Sequence, residues 1–161
     1  MSTPRTWMPA VLASVVLLVV VACSAGSSGT SAAASTAGST AGITVSNAWV
    51  RPPMGTGLPA AGYLTIVNGG TTADALTGAS SPIATSVEIH ETMAEDSGMT
   101  GMSPVSSLAI PAGATVVLAP GGYHLMLMGL SKVPAVGDTV QITLTFQGAG
   151  RIVVQAEVKA G

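Results

Sequence analysis

Residues 141–147 read Gln-Ile-Thr-Leu-Thr-Phe-Gln and alternate strictly between polar and apolar side chains. Successive side chains of a β-strand point to opposite faces, so Ile142, Leu144 and Phe146 share one face and the polar residues share the other. A strand of this kind covers a core with one face and meets solvent with the other. No stretch of the chain sustains a helical period, so the sequence predicts sheets rather than helices.

Seven further runs of β-branched and apolar residues lie around this stretch, separated by residues typical of turns. The eight predicted strands are 43–51, 61–67, 85–91, 105–110, 114–118, 124–130, 139–147 and 152–159. About eight short strands with such turns indicate an all-β fold, either an immunoglobulin-like antiparallel β-sandwich or a Greek-key barrel. The segment 43–161 is long enough for one modest core.

The N-terminus has the features of an export signal. Residues 11–22 (VLASVVLLVVVA) form an apolar run that follows one positive side chain, Arg5. A membrane-spanning helix needs about 20 apolar residues, so the shorter run predicts a secretory signal peptide over 1–22. The run ends in Val-Val-Ala-Cys, which resembles the bacterial lipobox. This predicts lipidation of Cys23 and an exported domain anchored to the outer face of the cell membrane, in the periplasmic or cell-wall space.

Residues 24–42 contain only Ser, Ala, Gly and Thr. Such a segment has no large apolar side chain to bury, so the lipidated Cys23 and the residues up to 42 are predicted to form a flexible linker. The linker either lets the domain 43–161 approach partners or serves as a simple spacer.

The composition excludes several classes of function. Only 7% of residues are charged and the formal net charge is −2, which argues against nucleic acid as a partner. A single Cys excludes an intramolecular disulfide, a CxxC redox pair and any site built from several thiolates. The chain shows no Ser/His/Asp set, no paired acids and no cofactor-binding loop, so we expect no catalytic residues and no enzyme activity.

Both histidines and five of the eight methionines lie between residues 90 and 128. In the strand predicted over 85–91, Glu88 and His90 share the face opposite Val87 and Ile89. In the strand that follows residue 122, His124 shares one face with Met126 and Met128, while the leucines occupy the other. These strands thus place imidazole and thioether groups where a simple strand would carry Thr, Lys or Gln.

Imidazole with uncharged thioether sulfur is a ligand set that favours Cu(I). Zinc usually recruits Cys or more His, and a blue-copper centre needs a Cys sulfur that the folded segment lacks. Met is also a common filler of irregular cores, so Met128 is either packing or a ligand. Met93 and Met99, in the loop predicted over 91–102, are either exposed or accessory ligands.

These residues resemble the periplasmic copper chaperone family PCu(A)C. The family motif has a His, a Met twelve residues later, then 21 residues and His-x-Met; His90, Met102, His124 and Met126 match it. The flanking segments 47–52, 61–64, 87–92 and 120–130 also match, and the resemblance covers roughly 43–159. Glu91 departs from the family pattern, because many members carry a Met there. Met99 competes with Met102 for the position of the loop ligand.

The resemblance implies a cupredoxin-like β-sandwich that binds Cu(I) through His90, Met102, His124 and Met126. It also implies delivery of copper to subunit II of cytochrome c oxidase, toward the Cu(A) centre, alongside Sco-type proteins. Two alternatives stay open at this point. The chain could be a periplasmic copper buffer or resistance protein with no dedicated client, or a structural lipoprotein domain that holds no metal.

Overall fold

The computed structural model describes residues 38–94 and 100–161, which contain eleven β-strands. In chain order they are β1 (Gly38–Thr40), β2 (Ile43–Arg51), β3 (Ala60–Asn68), β4 (Asp74–Ser80), β5 (Ser86–Ala94), β6 (Thr100–Pro104), β7 (Leu108–Ile110), β8 (Thr115–Leu118), β9 (Tyr123–Met128), β10 (Thr139–Phe146) and β11 (Gly150–Val158). No helix in these two ranges is long and apolar enough to cross a membrane. The predicted signal peptide, Cys23 and Met99 lie outside the described residues.

Seven strands form a closed circuit of hydrogen-bonded neighbours. The circuit runs β2–β11–β10–β4–β5–β9–β3 and returns to β2, while β1, β6, β7 and β8 are attached to its members. The prediction of an all-β, sandwich- or barrel-like fold is confirmed. The sheet is not wholly antiparallel, because β11 pairs with β2 in the parallel direction.

The core is aliphatic and follows the predicted alternation. Ile142, Leu144 and Phe146 of β10 are buried, as are Leu125 and Leu127 of β9. Each such side chain removed from water contributes about 1.5–3 kcal/mol before the entropy of ordering is subtracted. The core thereby fixes which face of each strand points inward.

A bulge in β2 changes which side chains of that strand point toward the core. The pairing with β3 shifts register between Ser46 and Trp49, and Asn47 has a positive φ of 53°. Val45 and Ala48 are therefore both buried although they are three residues apart. The bulge turns Trp49 outward, to the face that also carries the predicted ligands of β5 and β9.

Three strands, β1, β4 and β6, were not predicted from the sequence. β4 (DALTGAS) and β6 (TGMSP) each contain a single β-branched residue, a Thr, and they form because neighbouring backbones pair with them. The predicted loop 91–102 is wrong at both ends, because β5 continues to Ala94 and β6 begins at Thr100.

The predicted linker over 23–42 is likewise too long. β1 pairs with β2 through a two-residue turn in which Ala41 and Gly42 both have positive φ. Backbone hydrogen bonds to a strand edge need no large side chain, which is why the composition of this segment did not reveal the strand.

Asp74 ties the start of β4 to the β10–β11 turn. Its carboxylate accepts hydrogen bonds from the backbone N–H groups of Ala75 and Gly148 at 2.7 Å and of Ala149 at 2.8 Å. Burial raises the pKa of Asp74, but these backbone hydrogen bonds outweigh it, so the net pKa lies below the usual value.

We predict that Asp74→Asn lowers the free energy of unfolding at pH 7 by about 2 kcal/mol, because the amide NH2 faces an N–H donor and the charge is lost. Because the pKa of Asp74 is lowered in the folded state, its carboxylate stabilises the fold at pH values above the unfolded-state pKa. This stabilisation disappears as the pH falls through the folded-state pKa. In urea unfolding, the gap between wild type and variant should therefore shrink below about pH 4. An equal gap at pH 7 and pH 3 would contradict this role.

Candidate metal centre

The two histidines face each other across neighbouring strands. β5 and β9 pair antiparallel with His90 opposite His124 and Glu88 opposite Met126. Directly paired residues lie on the same face, with Cβ atoms about 4.5–5.5 Å apart. Val87 and Ile89 are buried on the other face. The predicted facing of both strands is therefore confirmed, and the ligand candidates lie on the outer face of the closed sheet.

An aromatic row runs across four strands on this face. The ring centroids of Trp49 and Tyr63 are 4.5 Å apart, those of Tyr63 and His124 are 6.5 Å apart, and those of His124 and His90 are 5.9 Å apart. The Arg51 guanidinium lies 5.7 Å from the centre of the Tyr63 ring. The row covers His124 on an outward face, so that its exposure is only 5%.

Hydrogen bonds assign a different tautomer to each histidine. Nδ1 of His124 lies 3.1 Å from the Gly122 carbonyl, which can only accept, so Nδ1 carries the proton and Nε2 keeps its lone pair. Nε2 of His90 lies 3.1 Å from a carboxylate oxygen of Glu88, so in the neutral ring Nδ1 keeps the lone pair. That Nδ1 atom is buried and has no hydrogen-bond partner.

An unpartnered buried nitrogen is costly unless something binds it. A carboxylate or carbonyl that holds the far nitrogen of an imidazole is the usual outer support of a metal-ligating histidine. Both histidines have such a support, and each lone pair is free for a metal. The arrangement fits a metal ion on the outer face of β5 and β9.

The thioethers open onto a cleft of about 420 Å³ beside the histidines. Its lining includes His124 and Met126 from β9 and Met102 from β6, which lies opposite Thr92 of β5. Met102 is 57% exposed. His90 does not line the cleft, but its ring lies next to that of His124, which does.

A type II turn positions the start of β9. The N–H of Gly122 donates to the Ala119 carbonyl at 3.0 Å, and Gly121 at the third position has a φ of 84°. Pro120 supplies the fixed φ that the second position of this turn requires. The Gly122 carbonyl is thereby held where it accepts the hydrogen bonds of the His124 ring and of the Thr92 N–H.

The ligand set differs from that of zinc or calcium sites. No group of three or more His, Cys, Asp and Glu that could hold a metal occurs in residues 38–94 and 100–161. Two thioether side chains and His124 line the cleft instead, and His90 packs against His124 on the same face. This set is soft and uncharged, and it suits a soft, low-charge ion.

Comparisons with known proteins show the family of this chain. A family model described as "Putative lipoprotein LpqE-like" matches residues 43–158. The chain belongs to the LpqE-like family. It is 38% identical over 117 residues to "Putative lipoprotein Lxx21020" of Leifsonia xyli subsp. xyli, an alignment that covers 73% of this chain and 69% of the relative.

Two solved structures similar to this LpqE-like chain contain copper according to their descriptions. The copper-bound PCuAC domain from PmoF2 is 28% identical with a TM-score of 0.67, covering 78% of this chain and 99% of that domain. The solution structure of CuI-DR1885 from Deinococcus radiodurans is 38% identical with a TM-score of 0.58, covering 71% of this chain and 76% of that chain.

The structure brings four of the candidate ligands to one place and separates others. Met102, His124 and Met126 line the cleft, and the His90 ring lies next to that of His124. Met93 lies opposite Gly101 on the other face of β5 from His90. Met128 shares the face of His124 but is four residues further along β9, about 13 Å away. Met99 lies outside the described residues.

Sequence reasoning missed the supports of the LpqE-like site. The sequence places Glu88 on the face of His90, but it does not show that the Glu88 carboxylate contacts a ring nitrogen of His90. Tyr63 is buried, and its ring packs between Trp49 and His124 on the outer face. Burial raises the pKa of Tyr63, and the nearby Arg51 charge partly offsets this.

Glu91, where many members of the resembled family carry Met, points away from the site. It lies opposite Tyr123 on the other face, and a hydrogen bond to Glu91 raises the pKa of Tyr123. A side chain at position 91 therefore does not share the face of His90.

We predict that long-range ¹H–¹⁵N NMR of the metal-free protein at neutral pH assigns the proton of His124 to Nδ1 and that of His90 to Nε2. Glu88→Ala should release only the His90 ring, which will then exchange between tautomers, while His124 keeps its assignment. The same tautomer for both rings in the wild type would contradict the hydrogen-bond scheme.

Proposed function

We propose that this LpqE-like protein binds one Cu(I) ion through His90, Met102, His124 and Met126. The observation that carries the proposal is the facing histidine pair, in which the buried Nδ1 of His90 lacks a partner while two thioethers flank the same site. The copper named in the descriptions of the two similar structures supports it. Neutral nitrogen and thioether ligands favour Cu(I) over Cu(II) and zinc.

We further propose that the protein acts stoichiometrically, as a chaperone rather than an enzyme. Cu(I) leaves by ligand exchange: a ligand of the acceptor binds the ion as one Cu–S bond of the donor breaks, and no electron or proton is transferred. Met102 is the ligand most accessible to an acceptor, since more than half of its surface is exposed. The proposed client is the Cu(A) centre in subunit II of cytochrome c oxidase, with Sco-type proteins as co-partners.

The proposed location is the outer face of the cell membrane, with Cys23 lipidated after export. The description of the family model and that of the Leifsonia relative both contain the word lipoprotein, which supports this. A lipid anchor keeps the donor near a membrane-bound acceptor and thereby raises the effective concentration of each for the other.

Anaerobic Cu(I) titration against bathocuproine disulfonate tests the ligand set. We expect one tightly bound equivalent in residues 38–161. His90→Ala or His124→Ala should weaken binding at least about 100-fold, or about 2.8 kcal/mol. Met102→Leu and Met126→Leu keep the volume but remove the sulfur, and each should weaken binding about tenfold.

Met93→Leu and Met128→Leu are matched controls, because they remove sulfur from β5 and β9 at positions that do not line the cleft. Both should bind as the wild type does. Equal losses for all four methionine variants would contradict a defined site and indicate nonspecific binding by thioethers.

Deletion of the gene in its host tests the client. We expect loss of cytochrome c oxidase activity that added copper restores, and the His90→Ala/His124→Ala allele should not complement. Copper sensitivity with normal oxidase activity would instead identify a copper buffer without a dedicated client.

A further inference from the structure

The loop between β2 and β3 forms one rim of the cleft. This loop, residues 52–59, begins with two prolines, which restrict the backbone that leads to Met54. It is closed by a turn in which the N–H of Leu58 donates to the Gly55 carbonyl at 3.3 Å, and Gly57 at the third position has a φ of 77°. The backbone around Met54 is therefore set by the loop itself, while its side chain is left without packing.

Met54 is 95% exposed and lines the same cleft as Met102, His124 and Met126. Burial of a Met side chain stabilises a folded protein, and here that gain is not realised. Two explanations fit an apolar side chain in this position: a hydrophobic contact for a protein partner, or a thioether ligand. The two differ in whether the sulfur atom matters.

The charges around the cleft favour the thioether explanation. Among the described residues that line it, Arg51 carries a positive charge and none is an Asp or Glu. A cation that approaches this rim meets no carboxylate among the residues that line it, and the donors it meets that suit Cu(I) are the thioethers and His124. Met54 is the most exposed of the sulfur groups that line the cleft.

We propose that Met54 is a transfer ligand for Cu(I), bound to the ion only while it enters or leaves the cleft. On release, a Cu–S bond to Met54 forms as the Cu–S bond to Met102 breaks, and the acceptor then displaces Met54. The ion stays Cu(I) and no proton moves, because thioethers do not titrate. This inference rests on the proposed function, since it concerns the path to that same site.

A ligand used only on the path lowers the barrier for binding and for release by the same amount and leaves the equilibrium unchanged. The test measures both quantities for Met54→Leu, which keeps the size and apolarity of the side chain and removes the sulfur. Stopped-flow absorbance follows the transfer of Cu(I) from loaded protein to excess bathocuproine disulfonate. This small acceptor does not use a protein-docking surface. Competition titration with the same chelator gives the Kd.

We expect Met54→Leu to slow both release and uptake about tenfold, equal to about 1.4 kcal/mol of barrier, with the Kd changed less than about twofold. The control Met93→Leu removes an exposed sulfur on the far face of β5 and should transfer as the wild type does. Leu58→Ala removes an apolar group from the same loop and should also leave the rates unchanged.

Three results would overturn the inference alone. Wild-type rates in Met54→Leu would leave Met54 as a docking residue at most, and a tenfold weaker Kd would make it a ligand of the resting site. Equal slowing in Leu58→Ala would assign the effect to the loop rather than to sulfur. In each case the proposed function would still hold if the wild type binds one equivalent of Cu(I) and His90→Ala/His124→Ala does not. Failure of the wild type to bind Cu(I) would overturn both.

Discussion

The pairing register of β5 and β9 is the constraint on which the site depends. In the observed register His90 is paired with His124, and Glu88 is paired with Met126. A shift of one residue would move every side chain of one strand to the opposite face. The register is held by the core, because Ile89 and Leu125 are paired and buried beneath the histidines. Hydrophobic burial on the inner face therefore sets the geometry of the polar outer face.

The outer face is built by strands that are far apart in sequence. β9 lies between β5 and β3, so His124 contacts both His90 and Tyr63. The bulge in β2 brings Trp49 into the same row. Aromatic neighbours exclude water from His124, and low water content strengthens the hydrogen bonds that fix its tautomer. The site thus combines a covered histidine pair with thioethers that remain accessible from the cleft.

The sequence predicted the parts of the molecule that local patterns determine. The alternation placed His90 opposite the apolar face of β5, and His124 and Met126 opposite the leucines of β9, and the boundaries of β2 were predicted without error. β4 and β6 were missed because pairing with neighbours, rather than their own residues, makes them strands. The same reasoning placed Met93 in a loop, whereas it lies on β5 with its side chain on the face away from His90.

The remaining features could not be read from the sequence because they depend on tertiary contacts. Nothing in the pattern around Tyr63 indicates that its ring packs against His124, and nothing around Met54 indicates that it lines the cleft. The assignment of one free nitrogen to each histidine likewise needs the positions of Glu88 and of the Gly122 carbonyl. These contacts turn a spacing of His and Met residues into a site with defined donor atoms.

X-ray absorption spectroscopy at the copper edge, on the anaerobically Cu(I)-loaded protein, tests most directly whether the four ligands converge on one ion. We predict a Cu(I) edge with two nitrogen and two sulfur scatterers, and the loss of one nitrogen scatterer in His90→Ala. A coordination shell that contains nitrogen and oxygen but no sulfur would contradict binding by the thioethers. A coordination shell that is the same in His90→Ala as in the wild type would contradict binding by the histidine pair.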